Sequence, residues 1–399
     1  MNKRCCGAMT VSYYGSYWKI RACCSTSQKK DVVSVFGVFS RMDWTRCIAH
    51  LDLDAFYATV EEIMNPEIKG LPIMVVMGED TTNRGVVATA SYAARQFGVH
   101  SAMPVTQARR LCPNGIYLQV RHDLYKEFSR RVMQLLEGQV NAVEQVSIDE
   151  AYLDLSGQPD PVTLSQSLQE QLITTTGLSA SVGIATNKLV AKMASGFKKP
   201  GGLTMVEPGK ESEFLRPLAV GKLYGIGPKT AARLNSKGIH TIGDLAKANR
   251  EQLQEDFGPN LGLELQSHAA GQDDRPIETS HKAKSFSYER TYFVDVTDSR
   301  RLWKHIQEMA AGLENQLKKR GLLARTTGIK LRFADWQTVT RAETLLAPTD
   351  NATTISASAA RLMKHTWKRG TPLRLLGVRV SNLIEANATR QLQLPLEVE

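Results

Sequence analysis

Two stretches of this 399-residue chain follow one order of elements: strand, helix, strand, strand, helix, strand. In the first, Ile48–Leu53 reads as a strand and 55–64 as a helix that Asn65-Pro66 ends. After an interruption comes a helix at 123–137, with Leu124, Phe128, Val132, Leu135 and Leu136 at helical spacing. Two strands flank Asp149-Glu150, a helix places Leu164, Leu168 and Leu172 on one face, Gly177 closes it, and a strand follows at 179–184. In the last third, strand 285–294, helix 299–320, strands 327–334 and 337–346, helix 353–369 and strand 373–384 repeat the order. Such an order is the ferredoxin-like split arrangement, which brings the ends of the first and middle strands together. The expected class is a multidomain α+β protein.

Residues 65–121 interrupt the first pattern as a small insert: an apolar strand Ile73–Met77, a polar turn at 78–85, a second strand at 86–89, then short helices. A glycine-rich helical region spans 196–276, and the polar stretch from Gly271 to Lys284 reads as a linker. The first 41 residues show neither helical nor strand periodicity and are expected to be disordered. They read as an upstream extension without a role in the fold, which a protein-level start at Met42 would explain.

Charge is unevenly spread. Residues 1–41 hold 7 basic and 1 acidic residue, residues 42–276 hold 23 and 27, and residues 277–399 hold 20 and 12. An acidic body followed by a basic last third suggests a polyanion held beside a metal site. No apolar run approaches the roughly 20 residues that span a bilayer, so no membrane is expected. Four of the six cysteines, Cys5, Cys6, Cys23 and Cys24, lie in adjacent pairs without the Cys-x-x-Cys spacing of zinc sites. A reduced, cytoplasmic protein is the expectation.

The chemistry concentrates in carboxylates at strand ends. Adjacent residues of a flat strand point to opposite faces, so Asp149 and Glu150 act together only at a turn or strand end. Asp52 and Asp54 end the first strand. They share its face if the strand continues through both; alternatively Asp54 caps the following helix, which is the expectation here. That leaves Asp52, Asp149 and Glu150 as metal ligands, with the backbone carbonyl of Leu53 as a fourth. Such a set suits hard divalent cations such as magnesium, and two of them would serve an in-line phosphoryl displacement.

Leu51-Asp52-Leu53-Asp54-Ala55-Phe56-Tyr57-Ala58-Thr59-Val60-Glu61 and Ser147-Ile148-Asp149-Glu150-Ala151-Tyr152-Leu153-Asp154 resemble the two catalytic motifs of the Y-family DNA polymerases, the bacterial members above all. The resemblance covers about 43–396. It implies a palm at 42–64 and 122–195, fingers at 65–121, a thumb at 196–276, a linker at 277–285, a little finger at 286–386 and a tail at 387–399. It also implies that the ring of Tyr57 lies under the incoming sugar and clashes with a 2′-hydroxyl, where spacing alone reads Tyr57 as a helix core residue.

Val87-Ala88-Thr89-Ala90-Ser91-Tyr92-Ala93-Ala94-Arg95 resembles the family's fingers motif. On a helical first turn Thr89, Tyr92 and Arg95 would face one way and suit a triphosphate. Ser181-Val182-Gly183-Ile184-Ala185-Thr186-Asn187-Lys188 resembles another family motif, which implies a triphosphate-binding role for Lys188. Leu223-Tyr224-Gly225-Ile226-Gly227-Pro228-Lys229 looks like a helix-hairpin-helix turn, where Gly225 and Gly227 let backbone approach a DNA phosphate, with Lys229 beside them. In the basic last domain, Lys284, Arg290, Arg332 and Arg341 lie on or beside the predicted strands and are the expected DNA contacts. Gln391-Leu392-Gln393-Leu394-Pro395-Leu396 looks like a peptide that docks on the bacterial sliding clamp, through Gln391, Leu392, Leu394, Pro395 and Leu396.

The expected activity is template-directed, low-fidelity translesion DNA synthesis with two magnesium ions, by a monomer that binds primer-template DNA, deoxynucleoside triphosphates and the clamp. A recruitment factor on the same fold would lack the carboxylates. A nucleotide cyclase would have no need of a hairpin thumb, basic last domain or clamp peptide.

Overall fold

The computed structural model describes residues 9–14, 17–22, 44–78, 81, 84–280 and 282–387, and divides into residues 1–42 and 43–399. In the first unit, strands β1 (Met9–Tyr14) and β2 (Tyr17–Ala22) pair antiparallel, with Met9 opposite Ala22 and Tyr14 opposite Tyr17. Disorder throughout residues 1–41 is therefore corrected. Aromatic and β-branched residues favour strands, and Gly15-Ser16 between the two runs is a hairpin signal.

The second unit opens with β3 (Ile48–Leu53) and α1 (Phe56–Met64). Then come β4 (Ile73–Met77), β5 (Val86–Ala90), α2 (Tyr92–Arg95), α3 (Val105–Leu111) and β6 (Ile116–Gln119). The first pattern resumes with α4 (His122–Glu137), β7 (Val143–Gln145), β8 (Glu150–Asp154), α5 (Pro161–Thr176), β9 (Ala180–Ala185), α6 (Lys188–Ser195) and β10 (Leu203–Met205).

One sheet runs β10-β9-β3-β8-β7, with β3 antiparallel to both β8 and β9. Without β10 this is the strand order of the ferredoxin-like arrangement. Leu51 and Leu53 face a core that includes Phe56, Tyr125, Val132 and Leu168. Every residue of β9 is buried, as expected of a strand covered on both sides. The helices follow local signals: Asp160 accepts from the amides of Val162 and Thr163 at the start of α5, and Gly177 takes a left-handed conformation at its end. The insert forms its own sheet, β5-β4-β6, in which β6 runs parallel to β4.

The helices α7 (Glu211–Leu215), α8 (Pro228–Asn235), α9 (Ile242–Lys247), α10 (Arg250–Phe257) and α11 (Pro259–Ala269) share a core with Leu189 and Val190 of α6. Last come β11 (Ser285–Val296), α12 (Ser299–Lys319), β12 (Leu322–Phe333), β13 (Thr338–Thr349), α13 (Ala352–Thr366) and β14 (Leu373–Glu385). Their sheet runs β11-β14-β12-β13, so one order along the chain gives two different strand orders in space. Both helices cover one face, where Tyr292, Ile306, Leu313, Ile329, Val378 and Val380 form the core. Among the described residues, no helix is long and apolar enough to cross a membrane.

Candidate active site and nucleic-acid interface

Asp52 and Glu150 stand opposite each other on β3 and β8. Glu150 opens its strand, and Asp149 lies in the turn just before it, where its backbone carbonyl accepts from the amide of Leu53 at 2.9 Å. The Asp149 carboxylate accepts from Ser147 Oγ at 2.6 Å. Asp52 forms an ion pair with Lys199, and Glu150 accepts from Lys192 Nζ at 2.7 Å. Burial pushes the Asp52 carboxyl up to about 6, against the pull of Lys199. Glu150 is held well below the usual carboxylate range by the His50 ring and the Lys192 ammonium. His50 is fully buried, which lowers its own pKa, and its Nδ1 lies 2.8 Å from Ser195 Oγ.

Among the described residues, no three His, Cys, Asp or Glu side chains are gathered so as to hold a metal ion as they stand. The donors nonetheless fit a hard divalent cation. They are all oxygen, two carboxylates stand opposite each other, and the Lys192 and Lys199 ammonium groups stand where positive charge is needed. Both lysines sit on or just after α6, where no local motif marks them as part of the site.

Asp54 does not cap α1, and that expectation is corrected. The residue before α1 is Ala55, left-handed at φ 46°, and no side chain caps the helix. The Asp54 carboxylate is instead buried and accepts from Ser181 Oγ at 2.8 Å, Gly201 N at 2.8 Å, Tyr92 OH at 3.1 Å and Ser179 Oγ at 3.2 Å. It thereby ties α2 to β9 and to the loop that carries Lys199.

On the nucleotide side, Tyr57 is half-buried, stacked on Tyr125, and its phenol pKa is raised by burial and then by the Asp149 charge. Arg95 lies over the Tyr92 ring and donates through Nε to the Ala90 carbonyl at 3.1 Å. The helical placement of Thr89 is corrected: it lies on β5, and Ser91 caps α2, so Tyr92 and Arg95 share the helical turn without it. Lys188 is corrected as well. Its buried ammonium donates to Glu144 at 2.8 and 2.6 Å and to the Pro276 carbonyl at 3.1 Å, so it is already engaged within the fold. Its neighbours act alike: Asn187 donates to the Gly271 carbonyl at 2.8 Å, and the Leu189 amide to Asp273 at 2.9 Å. Arg46 reaches the Asp273 carbonyl at 3.0 Å, and the Glu278 amide meets Glu144 at 2.8 Å. Residues 271–278 are thus fastened to the catalytic sheet and α6.

Comparison with known proteins accounts for this arrangement. Residues 51–196 match the model of the impB/mucB/samB family, residues 283–394 that family's C-terminal domain, and residues 221–273 the DNA polymerase-iota thumb domain. The chain is 39% identical over 341 residues to a DNA polymerase IV of Desulfatibacillum aliphaticivorans, covering 84% of this chain and 85% of that protein. A DNA polymerase IV of Listeria innocua is 38% identical over 346 residues, covering 86% and 96%. The solved Y-family DNA polymerase chimera Dbh-Dpo4(243-245)-Dbh superposes with a TM-score of 0.77 at 27% identity, covering 85% of this chain and 99% of that one. The chain belongs to the Y family of DNA polymerases. An insertion ternary complex of Dbh DNA polymerase is also similar, with a TM-score of 0.63 at 26% identity and the same coverage.

In this Y-family polymerase two surfaces suit a nucleic-acid backbone. Gly225 has a φ of 93°, open to glycine without strain, and Gly227 precedes α8 with no side chain capping the helix. The first amides of α8 are therefore available to an anion, with exposed Lys229 beside them. The second surface is the sheet face opposite α12 and α13. Residues directly across an antiparallel pair share a face. Lys330 stands opposite Thr340 and Gly377, and Arg332 opposite Thr338, so both lie on the helix-free face, while Ile329 faces the core. Arg379, exposed and opposite Ser287 and Gly328, joins them. Lys284 is exposed just before β11.

Arg290 and Arg341 are corrected. Arg290 pairs with Leu376 across the sheet and with Glu308 of α12 at 3.1 Å, and Arg341 stands opposite Ile329. Both therefore belong to the helix side. Arg379→Ala is expected to weaken DNA binding alike for all sequences and to reduce the slope of log affinity against log salt by about one. Arg290→Ala leaves that slope unchanged. A salt titration by fluorescence anisotropy decides, and equal slopes for wild type and Arg379→Ala would remove Arg379 from the interface. The six residues 391–396 lie outside the described residues.

Proposed function

We propose that this chain performs translesion DNA synthesis: a primer 3′-hydroxyl attacks the α-phosphate of a deoxynucleoside triphosphate on a DNA template, and pyrophosphate leaves. The observation that carries this reading is the placement of Asp52, Asp149 and Glu150 at adjoining strand ends. Asp52, Asp149, Glu150 and the Leu53 carbonyl would hold two magnesium ions. Such ions supply charge at phosphoryl oxygens and ease deprotonation of a hydroxyl.

The chain's own residues do the rest. Tyr92 and Arg95 from α2, with Lys199 from the loop after α6, bind and orient the triphosphate through hydrogen bonds and charge. Tyr57 excludes a 2′-hydroxyl. The small insert that carries α2 encloses the nascent base pair loosely, which gives low fidelity, tolerance of damaged templates and untargeted mutagenesis. No proofreading exonuclease corrects the product. Gln391, Leu392, Leu394, Pro395 and Leu396 dock on the sliding clamp, and the chain works as a cytoplasmic monomer.

Single-nucleotide primer extension tests the reading. Extension should stop on chelation with EDTA and return when magnesium is added in excess. Extension that persists under chelation refutes the metal site. No extension with any divalent cation, with DNA binding intact, means a recruitment factor instead.

A further inference from the structure

We infer that Tyr125 is a positioning residue for sugar selection, holding the plane of the ring that Tyr57 presents to the incoming nucleotide. The inference rests on the reading of Tyr57 as the residue that excludes a 2′-hydroxyl. The two rings lie 4.2 Å apart between centroids and only 14° from parallel. Phe56 touches both at steep tilts, 50° to Tyr57 and 63° to Tyr125, so Tyr125 alone of the two neighbours backs the flat face. Tyr125 is fully buried while Tyr57 is half-exposed. One ring therefore belongs to the core and the other to the cleft.

The buried ring is itself anchored. Its hydroxyl donates to Glu61 Oε1 at 2.5 Å, and Glu61, also buried, receives Arg121 through Nε at 2.9 Å and through Nη2. A two-pronged guanidinium contact of this kind fixes direction as well as distance. Tyr57 and Glu61 are one turn apart on α1, and Arg121 and Tyr125 are one turn apart at the start of α4, where the Tyr125 amide donates to the Arg121 carbonyl. Each helix thus contributes one ring and one charged partner, and the four side chains lock together. The torsion that turns an aromatic ring about its bond is broad and weakly restrained. Rejecting a single extra oxygen atom needs a ring that does not yield, and the Tyr125 stack supplies the restraint.

The experiment compares insertion of a deoxynucleotide with that of the matching ribonucleotide, as a ratio of kcat/KM values, in the full chain. Tyr125→Leu should lower the ratio by about tenfold, the upper range that an aromatic pair contributes, chiefly by raising ribonucleotide insertion. Tyr125→Phe keeps the ring and loses the hydroxyl anchor, and should lower the ratio by about two- to threefold. If Tyr125→Leu fails to fold, Tyr125→Phe decides alone. Val132→Ala, a cavity in the same helix away from the stack, should leave the ratio unchanged. A wild-type ratio in the folded Tyr125 variants, or an equal fall in Val132→Ala, overturns the inference. Tyr57→Ala separates the two levels: if it leaves the ratio unchanged, the reading of Tyr57 fails and this inference with it. If it collapses the ratio while both Tyr125 variants keep theirs, only the role of Tyr125 fails.

Discussion

Asp149→Ala is expected to lower single-nucleotide insertion by about a thousandfold or more, roughly 4 kcal/mol of transition-state stabilisation, with little change in stability. The two halves of that expectation have separate origins. The Asp149 side chain is half-buried and, among the described residues, its carboxylate has one hydrogen-bond partner, Ser147 two residues away, so the fold loses little, within about 0.5 kcal/mol. The contact that joins the turn to β3 runs through the Asp149 carbonyl, which alanine retains. The carboxylate is therefore present for charge rather than for structure. Rapid-quench insertion together with thermal unfolding checks both halves. A variant that unfolds like wild type and inserts within tenfold of it would show that the chemistry lies elsewhere.

Asp54→Ala is expected to do the opposite, unfolding the catalytic unit more easily by about 3–5 kcal/mol. Asp54 is 2% exposed, and its carboxylate is the acceptor for Tyr92, Ser179, Ser181 and the Gly201 amide. Each buried donor left without an acceptor costs about 1–3 kcal/mol, and relaxation recovers part of the total. Asp54→Asn keeps one acceptor oxygen and should lose about half as much. Urea unfolding followed by tryptophan fluorescence measures the difference, and an Asp54→Ala midpoint equal to that of wild type would mean that the four donors find other acceptors. Because Asp54 also holds α2 against the loop of Lys199, both variants should bind nucleotide less tightly.

What the sequence revealed divides along physical lines. Long periodic helices such as α4 and α12, and the acidic strand ends, carry their signal in neighbouring residues, and they fall where periodicity puts them. Strands β6 and β10, of four and three residues, are too short for alternation to register. Lys199 sits in Lys198-Lys199-Pro200-Gly201-Gly202, which reads locally as a turn; only the fold carries its ammonium to Asp52. Arg290 and Arg341 were misplaced for a different reason. Facing is read from alternating burial, but β11 and the edge strand β13 expose residues on both sides, so the alternation fades. The missed role of Asp54 follows from an ambiguity: a carboxylate before a helix caps it in isolation, yet three other chain segments here offer stronger partners.

The fastening of residues 271–278 sets the length of a leash. Only six residues, 279–284, separate the anchored Glu278 from the first residue of β11. Fully extended, the seven Cα-to-Cα steps reach at most about 25 Å. The basic sheet therefore begins no farther than that from the residue anchored on the catalytic sheet, and a tether this short sets its effective concentration there in the millimolar range. A duplex released from one surface would thus meet the other at high local concentration, and lengthening 279–284 is expected to lower the number of nucleotides added per encounter.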